Sequence, residues 1–281
     1  MSEAQLLSPQ TQEAQLRLLQ RIQTHLKVPN DPNNLSVLTR RHKAVRKYIL
    51  ETANLSKNTQ ATYLGWIVGL LRRAKKNPKN YLEDMERVVA ERDSDDEQER
   101  ELLATWDEVL TLHRKLAEQK PVNFTAHRDY VLLSLYVLQA PLRNDYANVP
   151  IVSGQPDSGN YLLYPACILK LRDYKTSRTY GELDINFSQD LTRVVSEFIN
   201  RYDCKWLIPN MDGTPMSENQ ISKRMFEIFE TGMKKHIGIS QLRHIYISHM
   251  RAGEMSLKKK KELASSMTHS VGMNEKYRRG V

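Results

Sequence analysis

The sequence predicts a mainly α-helical chain with a small antiparallel β-hairpin or sheet, an α+β arrangement in two domains. Apolar residues recur at three-and-four spacing through most of the chain, which is the period of amphipathic helices. One segment, residues 161–188, instead holds two extended stretches on either side of a polar turn. The 281 residues, 40% of them hydrophobic, are enough to bury two modest cores.

The first half of the chain is predicted to be helical almost throughout. Helices are expected over residues 12–26, 34–53 and 55–76. In the third helix Ser56 or Asn58 is the expected N-cap, and Pro78 lies just beyond the C-terminal end. Its predicted buried residues are Tyr63, Trp66, Ile67, Leu70 and Leu71, and its C-terminal end gathers Arg72, Arg73, Lys75 and Lys76.

An acidic stretch separates the two halves. Residues 91–101 hold seven acids and two arginines and show no apolar periodicity, which is typical of an interdomain linker or of the solvated end of a helix. The predicted domains are therefore residues 1–100 and residues 101–281. This stretch is net negative whereas the whole chain has a formal net charge of +9, so the excess of basic residues lies outside the stretch.

The second half is predicted to mix helices with strands. Helices are expected over residues 105–119, 129–140, 191–202, 218–235 and 240–253, followed by a helical run that ends at Tyr277. The helix over residues 129–140 is almost entirely apolar and should be buried on most faces. A polar turn at Lys175–Arg178 joins two strands, and an Asp-Gly turn lies in the segment 205–217.

Composition narrows the class of protein. The excess of basic residues fits a polyanionic partner such as nucleic acid. Cys167 and Cys204 are too few for a disulfide framework and lack the clustering of a zinc site, so reduced thiols and no metal site are expected. The chain has no run of about 18 apolar residues, and its polar N-terminus lacks the apolar segment of a secretory signal. These features predict an intracellular protein without membrane contact.

Four polar elements interrupt the apolar framework of the second half. They are Arg143 after the apolar helix, Lys175 in the turn, Arg243 within an amphipathic helix, and His269 followed by Tyr277. Taken singly, each has an ordinary explanation: a helix-end cation, a solvated lysine, a snorkelling arginine, a core or surface histidine and a packing tyrosine. Their order along the chain is what makes the set specific.

This ordered set resembles the catalytic domain of the tyrosine recombinase (phage integrase) family over roughly residues 103–281. The family has an arginine after a buried helix, a lysine on a hairpin, a His-x-Leu-Arg-His helix, and a Gly-His-Ser sequence about nine residues before a tyrosine. The segment 207–225 is also similar to the family's link between hairpin and motif helix. The matching sequences here are Ala140-Pro141-Leu142-Arg143, Lys175-Thr176-Ser177, Ser240-Gln241-Leu242-Arg243-His244, and Thr268-His269-Ser270 with Tyr277.

The N-terminal half resembles the family's helical core-binding domain, particularly residues 56–73, which match its Ser-x-x-Thr-x-x-x-Tyr helix start. The resemblance implies two domains that form a C-shaped clamp around duplex DNA. Any single basic residue of this half is better explained as part of a solvated helix face. As a set, the candidates for phosphate contacts are Arg40, Arg41, Lys43, Arg46, Lys47, Arg72 and Arg73.

The resemblance also implies a role for each catalytic candidate. Attack of a phenolic oxygen on a phosphodiester adds negative charge to the non-bridging oxygens, which Arg143 and Arg243 would hold bidentately. Lys175 would protonate the departing 5′-hydroxyl, and His269 would hydrogen-bond the phosphate. Tyr277 would form a 3′-phosphotyrosine, which another strand's 5′-hydroxyl religates without ATP or metal, so no cofactor is expected.

The position three residues before Arg243 departs from the family pattern. The family has a histidine there that acts in proton transfer from the tyrosine, whereas this chain has Ser240, a poor base at neutral pH. His236 or His244 would have to serve in its place.

Two further differences concern the first arginine and the tail. The family commonly has an acidic residue three positions after the arginine, whereas Tyr146 stands there and Asp145 lies one position earlier. The sequence ends four residues after Tyr277. Many relatives continue into a helix that docks on the neighbouring protomer, so assembly in trans is expected to use another segment or to be weaker.

The sequence thus predicts a site-specific recombinase or integrase of a viral or mobile element, active in the cytoplasm or a host nucleus. Its expected partners are double-stranded DNA and other copies of the chain, as a tetramer on two sites. One alternative is a type IB-like topoisomerase, which uses the same residue types and need not pair two sites. The other is a catalytically silent DNA-binding protein with the same fold. Ser240 and the short tail favour it, and retention of both arginines, the lysine and the tyrosine opposes it.

Overall fold

A computed structural model describes residues 8–101, 104–119, 123–251 and 256–267. Contacts divide the chain into two compact units, residues 1–99 and residues 100–281. Each unit has its own hydrophobic core.

The described residues of the first unit form helices joined by short connections. Its core is formed by side chains from all its longer helices, including Ile22, Val45, Leu64 and Val88, each with no exposed surface. The elements are α1 (Pro9–His25), α2 (Ser36–Arg40), α3 (His42–Lys47), a π-helical segment (Tyr48–Thr52), α4 (Lys57–Arg73) and α5 (Lys79–Glu101).

The predicted helix over residues 34–53 is divided into α2, α3 and the π-helical segment. The helical spacing of the apolar residues is still seen in the sequence because all three segments pack against the same core, through buried side chains such as Leu38, Val45 and Ile49. The acidic stretch belongs to α5, which continues to Glu101. The interpretation as a helix end is therefore the one that the structure supports.

Helix α4 begins as predicted but buries a different stripe. The Ser56 hydroxyl accepts the N–H of Thr59 at 3.3 Å and caps the helix. Tyr63 and Trp66 are only half-buried: they pack against the edge of the core and stack on each other, with ring centroids 5.8 Å apart. The predicted burial was wrong for these two residues and for Leu70, and the buried residues of α4 are Gln60, Ala61, Leu64, Ile67, Val68 and Leu71.

The second unit contains helices around a small sheet. Helix α7 starts five residues earlier than predicted, because the Asn123 side chain accepts the N–H of Ala126 at 2.9 Å and caps it. The elements are α6 (Trp106–Glu118), α7 (Phe124–Val137), β1 (Ile151–Val152), β2 (Tyr161–Leu163), β3 (Ile168–Leu171), α8 (Ser177–Tyr180), β4 (Leu183–Asn186), α9 (Gln189–Tyr202), α10 (Glu218–Met233), α11 (Ile239–Met250) and α12 (Leu257–Ser266).

The four strands form one sheet in the order β1-β2-β3-β4. Strands β3 and β4 are antiparallel, with Leu171 opposite Leu183, which confirms the predicted hairpin. The first predicted stretch also folds back on itself as β2 and β3, and β1 pairs in parallel with β2, so the sheet is mixed rather than purely antiparallel. The polar turn of the hairpin contains the single helical turn α8.

A histidine in the core of the second unit makes stability depend on pH. The His113 ring on α6 lies 2.8 Å from the Ser134 hydroxyl on α7, and burial lowers the pKa of His113 from its usual 6.5. At mildly acidic pH the His113 ring therefore takes up a proton more readily in the unfolded chain than in the folded chain. Stability from this site is fully present above about pH 6.5 and is lost as the pH falls.

We expect His113→Gln to flatten the fall in unfolding free energy between pH 7.5 and pH 5, measured by urea denaturation. Substituting the exposed His249 in the same way provides the matched control and should leave the slope unchanged. Parallel slopes for wild type and His113→Gln would show that this histidine does not set the acid limit.

Candidate active site

Arg143 lies in the turn that follows α7, where its backbone is held on both sides. Its carbonyl oxygen accepts a hydrogen bond of 2.8 Å from the hydroxyl of Tyr136, a fully buried residue of α7. Its N–H donates to the Asp145 carboxylate at 3.2 Å. The Arg143 side chain is half-buried. The backbone of the turn is therefore fixed by the core while the guanidinium remains at the surface.

Lys175 lies in the connection between β3 and β4, and its side chain is exposed. It lines a surface cavity of about 430 Å³ that Arg143 also lines. Asp145, Asp173 and Glu218 also line this cavity. The structure thus brings together two of the predicted catalytic cations, which are separated by 32 positions in the sequence, and places acids beside them.

Arg243 is almost completely buried on α11, with 1% of its surface exposed. Its guanidinium donates to the carbonyl oxygen of Pro141 at 2.5 Å and to that of Met267 at 3.0 Å. The first bond joins α11 to the turn that carries Arg143. The second joins α11 to Met267, the residue just before Thr268. Arg243 therefore joins two of the four predicted motif regions to each other and to the residue that precedes a third.

The charges of both arginines act on the Asp145 carboxyl. Burial raises the pKa of the Asp145 carboxyl, and the positive charges of Arg143 and Arg243 oppose that rise. Both guanidinium groups thus act on one carboxylate. Tyr146, in the position where the family has an acid, is fully buried in the core, and its hydroxyl donates to the carbonyl of Leu135 at 2.9 Å.

The three predicted auxiliary residues differ in their surroundings. Ser240 is exposed in the first turn of α11, on the same side of the helix as Arg243 because residues three apart share a face. His244 follows Arg243 directly and is half-buried. The His236 ring lies 3.3 Å from the Glu230 carboxylate and stacks on Phe226 of α10, with centroids 5.0 Å apart. His236 is therefore engaged with α10.

The remaining catalytic candidates, His269 and Tyr277, lie outside the described residues. The same holds for Thr268 and Ser270. Met267 is the last described residue before them, and its side chain is buried against Ile247 and Leu263.

The basic residues predicted to contact phosphate fall into two groups. Arg40, Lys43, Lys47 and Arg72 are exposed. The others also bind within the first unit: Arg41 donates to the Leu26 carbonyl at 3.2 Å, Arg73 to the Gln15 side chain at 2.6 Å, and Arg46 to the buried Asp84 carboxylate.

Two features of the second unit were not predicted from the sequence. Asn160 lines the cavity of Arg143 and Lys175 and hydrogen-bonds the chain just before Lys175. Helix α12 begins with four consecutive lysines, residues 258–261, of which Lys258, Lys259 and Lys261 are exposed. The lysine run is visible in the sequence as a charge cluster, whereas nothing in the sequence singles out Asn160.

Across residues 8–101, 104–119, 123–251 and 256–267, no three His, Cys, Asp or Glu side chains are grouped so as to hold a metal ion. Within the same ranges, no helix combines the length and the apolar character needed to cross a bilayer.

No protein-family model and no curated protein sequence matches the chain. Solved structures do match. A lambda integrase dimer bound to a COC′ core site aligns over 98% of this chain and 90% of its own, with a TM-score of 0.57 and 14% identity. A second structure of a lambda integrase dimer on a COC′ core site aligns over 98% and 73%, with a TM-score of 0.56 and 14% identity. The XerA recombinase gives a TM-score of 0.45 at 13% identity, over 98% of this chain and 89% of its own. The chain therefore has the fold of the tyrosine recombinases.

Proposed function

We propose that this protein is a site-specific DNA recombinase that breaks and rejoins strands through a 3′-phosphotyrosine. The observation that carries the proposal is the grouping of three cations: Arg143 and Lys175 line one cavity, and Arg243 binds the turn that presents Arg143. A guanidinium group and an ammonium on one surface cavity, with a second guanidinium bound to the turn that carries the first, suit a phosphodiester, which is anionic and gains charge in the transition state.

The reaction is assigned to these side chains as follows. The phenolic oxygen of Tyr277 attacks phosphorus, and its proton passes to water. The bond between phosphorus and the 5′-oxygen breaks, and the Lys175 ammonium gives that oxygen a proton. Arg143 and Arg243 bind the non-bridging oxygens. His269, two residues beyond the anchored Met267, donates a hydrogen bond to the same phosphate.

The partner that we propose is double-stranded DNA, bound by both units. Exposed Arg40, Lys43, Lys47 and Arg72 in the first unit, and the lysines of α12 in the second, supply cations for sequence-independent phosphate contacts. Lambda integrase has been crystallised as a dimer on a core site. By analogy, we propose that this chain assembles on DNA and pairs two sites as a tetramer, in the integration or excision of a viral or other mobile element.

The covalent mechanism is tested with the Tyr277→Phe variant. Wild-type protein and the variant are incubated with supercoiled plasmid and with a pool of nicked duplexes, and adducts resistant to SDS are separated on a gel. We expect 3′-linked adducts with wild type and none with Tyr277→Phe, because phenylalanine has no nucleophilic oxygen. Tyr180→Phe, a change in the half-buried tyrosine of α8, is the control and should retain adduct formation.

The same assay separates the alternatives. Tight, salt-dependent binding without adducts on any substrate would refute the covalent mechanism and favour a silent DNA-binding protein. Adducts together with plasmid relaxation, but without pairing of two sites, would favour a topoisomerase.

Ser240 gives a second prediction for the proposed reaction. A histidine at this position lies one turn before Arg243 on the same face of α11, and a positioned base contributes about 10²–10⁴ in rate. We expect Ser240→His to raise the single-turnover rate of adduct formation by about tenfold or more at neutral pH. Ser240→Gln, which adds bulk without a base, serves as the control, and an equal gain from both variants would contradict a role in proton transfer.

A further inference from the structure

The connection that carries Lys175 is held by one asparagine side chain. Asn160 precedes β2, and its Oδ1 atom accepts the N–H groups of Arg172 and Asp173 at 2.8 and 2.9 Å. Its Nδ2 atom donates to the Asp173 carbonyl at 2.6 Å. Three hydrogen bonds thus fix the chain at the point where it leaves β3, two residues before Lys175.

We propose that Asn160 is a positioning residue for Lys175, the proton donor of the proposed reaction. This inference rests on the proposed function. Lys175 is exposed and its side chain has four rotatable bonds, so an ordered backbone is needed to keep the ammonium within reach of the 5′-oxygen. Since consecutive Cα atoms are about 3.8 Å apart, fixing Asp173 confines the Cα atom of Lys175 to about 7.6 Å from it.

The chemistry of an amide suits this position. The backbone of Arg172 and Asp173 presents two donors and one acceptor, and only a side chain with both a carbonyl and an amino group satisfies all three. An aspartate would keep the two acceptor bonds, lose the donor, and add a negative charge to a cavity that is proposed to hold a phosphate.

Neighbouring contacts hold the rest of the connection. The Arg172 guanidinium donates to the Pro156 carbonyl at 2.6 Å and lies over the Tyr161 ring, 5.4 Å from its centroid. The hydroxyl of Tyr174, the residue before Lys175, donates to the carbonyl of Gly181, six residues after Lys175, at 2.8 Å. These contacts hold the connection between β3 and β4 together. The hydrogen bonds of Asn160 attach this connection to the residue before β2, which lines the same cavity as Arg143 and Lys175.

Two roles of Asn160 can be distinguished with a substrate whose leaving group needs no proton. If Asn160 positions Lys175, its loss should be harmless on such a substrate, whereas a general structural role would affect every substrate. A nicked duplex recovered as an adduct with wild type is synthesised with oxygen or with sulfur as the bridging 5′-atom. A thiol has a pKa near 8.5 and departs as the anion, so its expulsion does not depend on an acid. Loss of Lys175 therefore should matter for the oxygen substrate only.

We expect Asn160→Ala to slow adduct formation by about 10- to 100-fold on the oxygen substrate and by less than about threefold on the sulfur substrate. Lys175→Ala should show the same rescue, more strongly. Arg143→Ala should be slow on both substrates, because the charge on the non-bridging oxygens develops with either leaving group.

Amide hydrogen exchange in the protein without DNA gives a readout that does not depend on catalysis. Asn160→Ala should raise the exchange rates of the Arg172 and Asp173 amides, and Asn160→Asp should largely keep them protected because the acceptor remains. Equal slowing of Asn160→Ala on both substrates, or no slowing, would overturn the inference. Absence of adducts from the wild type on every duplex would instead refute the proposed function and leave the exchange result to report the loop contact alone.

Discussion

Replacing Arg243 by alanine should reduce the rate of adduct formation by about 10²–10³ and also destabilise the second unit. The guanidinium is proposed to bind the phosphate, and loss of one such donor group typically costs about 10²–10³ in rate. It also joins Pro141 to Met267, whose carbonyl oxygens would lose a buried donor. Single-turnover adduct kinetics and urea denaturation measure the two effects separately.

Arg251 provides the matched control because it is also a buried arginine at the end of α11, with 3% of its surface exposed. Arg251→Ala should lower stability while retaining adduct formation at temperatures where the variant is folded. Arg243→Lys keeps the charge but lacks the planar fork of donors, so we expect an intermediate rate. Adduct formation by folded Arg243→Ala at the wild-type rate would exclude the proposed phosphate contact.

Asp129→Ala should lower the unfolding free energy of the second unit by about 3 kcal/mol. Asp129 on α7 accepts from Arg224 on α10, with Nε and Oδ1 2.7 Å apart and a second bond alongside. Its carboxylate also lies 3.7 Å from the buried Arg128. Loss of the carboxylate leaves two poorly solvated guanidinium groups without this shared counter-charge, which is the costly way to break a buried ion pair.

The urea midpoint of folding measures this effect, with an exposed pair as the control. Arg193 lies 3.7 Å from Asp190 on the surface of α9, and Arg193→Ala should cost less than about 1 kcal/mol. The double variant Asp129→Leu with Arg224→Met should recover part of the loss, because it removes charge and counter-charge together. A change below about 1 kcal/mol in Asp129→Ala would show that α7 and α10 do not depend on this pair.

Most of the longer helices of the second unit were predictable because their apolar residues recur at helical spacing or, in α7, form a nearly continuous apolar run. In α9, Leu191, Val194, Val195 and Phe198 recur at helical spacing and are all buried, and Ser188 caps the helix. Strand β1 was not predictable, since two residues give no alternation and its pairing with β2 depends on a partner eleven positions away.

The sequence predicted those residues of the candidate site whose side chains would act directly on the phosphate or the leaving group. Arg143, Lys175 and Arg243 were found from their order, and two of them line one cavity. Asp145 was noticed one position out of register, and only the structure shows that its neighbour Tyr146 belongs to the core. The contacts of Asn160 reach 12 and 13 positions along the chain, so local sequence gives no sign of them.

The hydrogen bond from Arg243 to the Met267 carbonyl has a consequence for how protomers share a tyrosine. It tethers the chain ten residues before Tyr277 to the same guanidinium that is proposed to bind the phosphate. Ten residues span at most about 35 Å when fully extended. If Tyr277 attacks a phosphate bound by a neighbouring protomer, that phosphate must lie within about 35 Å of Met267 in the protomer that donates the tyrosine. Otherwise the hydrogen bond between Arg243 and Met267 must break. The distance over which a protomer can donate its tyrosine to a neighbour is thus limited by the contact between Met267 and Arg243 of the donating protomer.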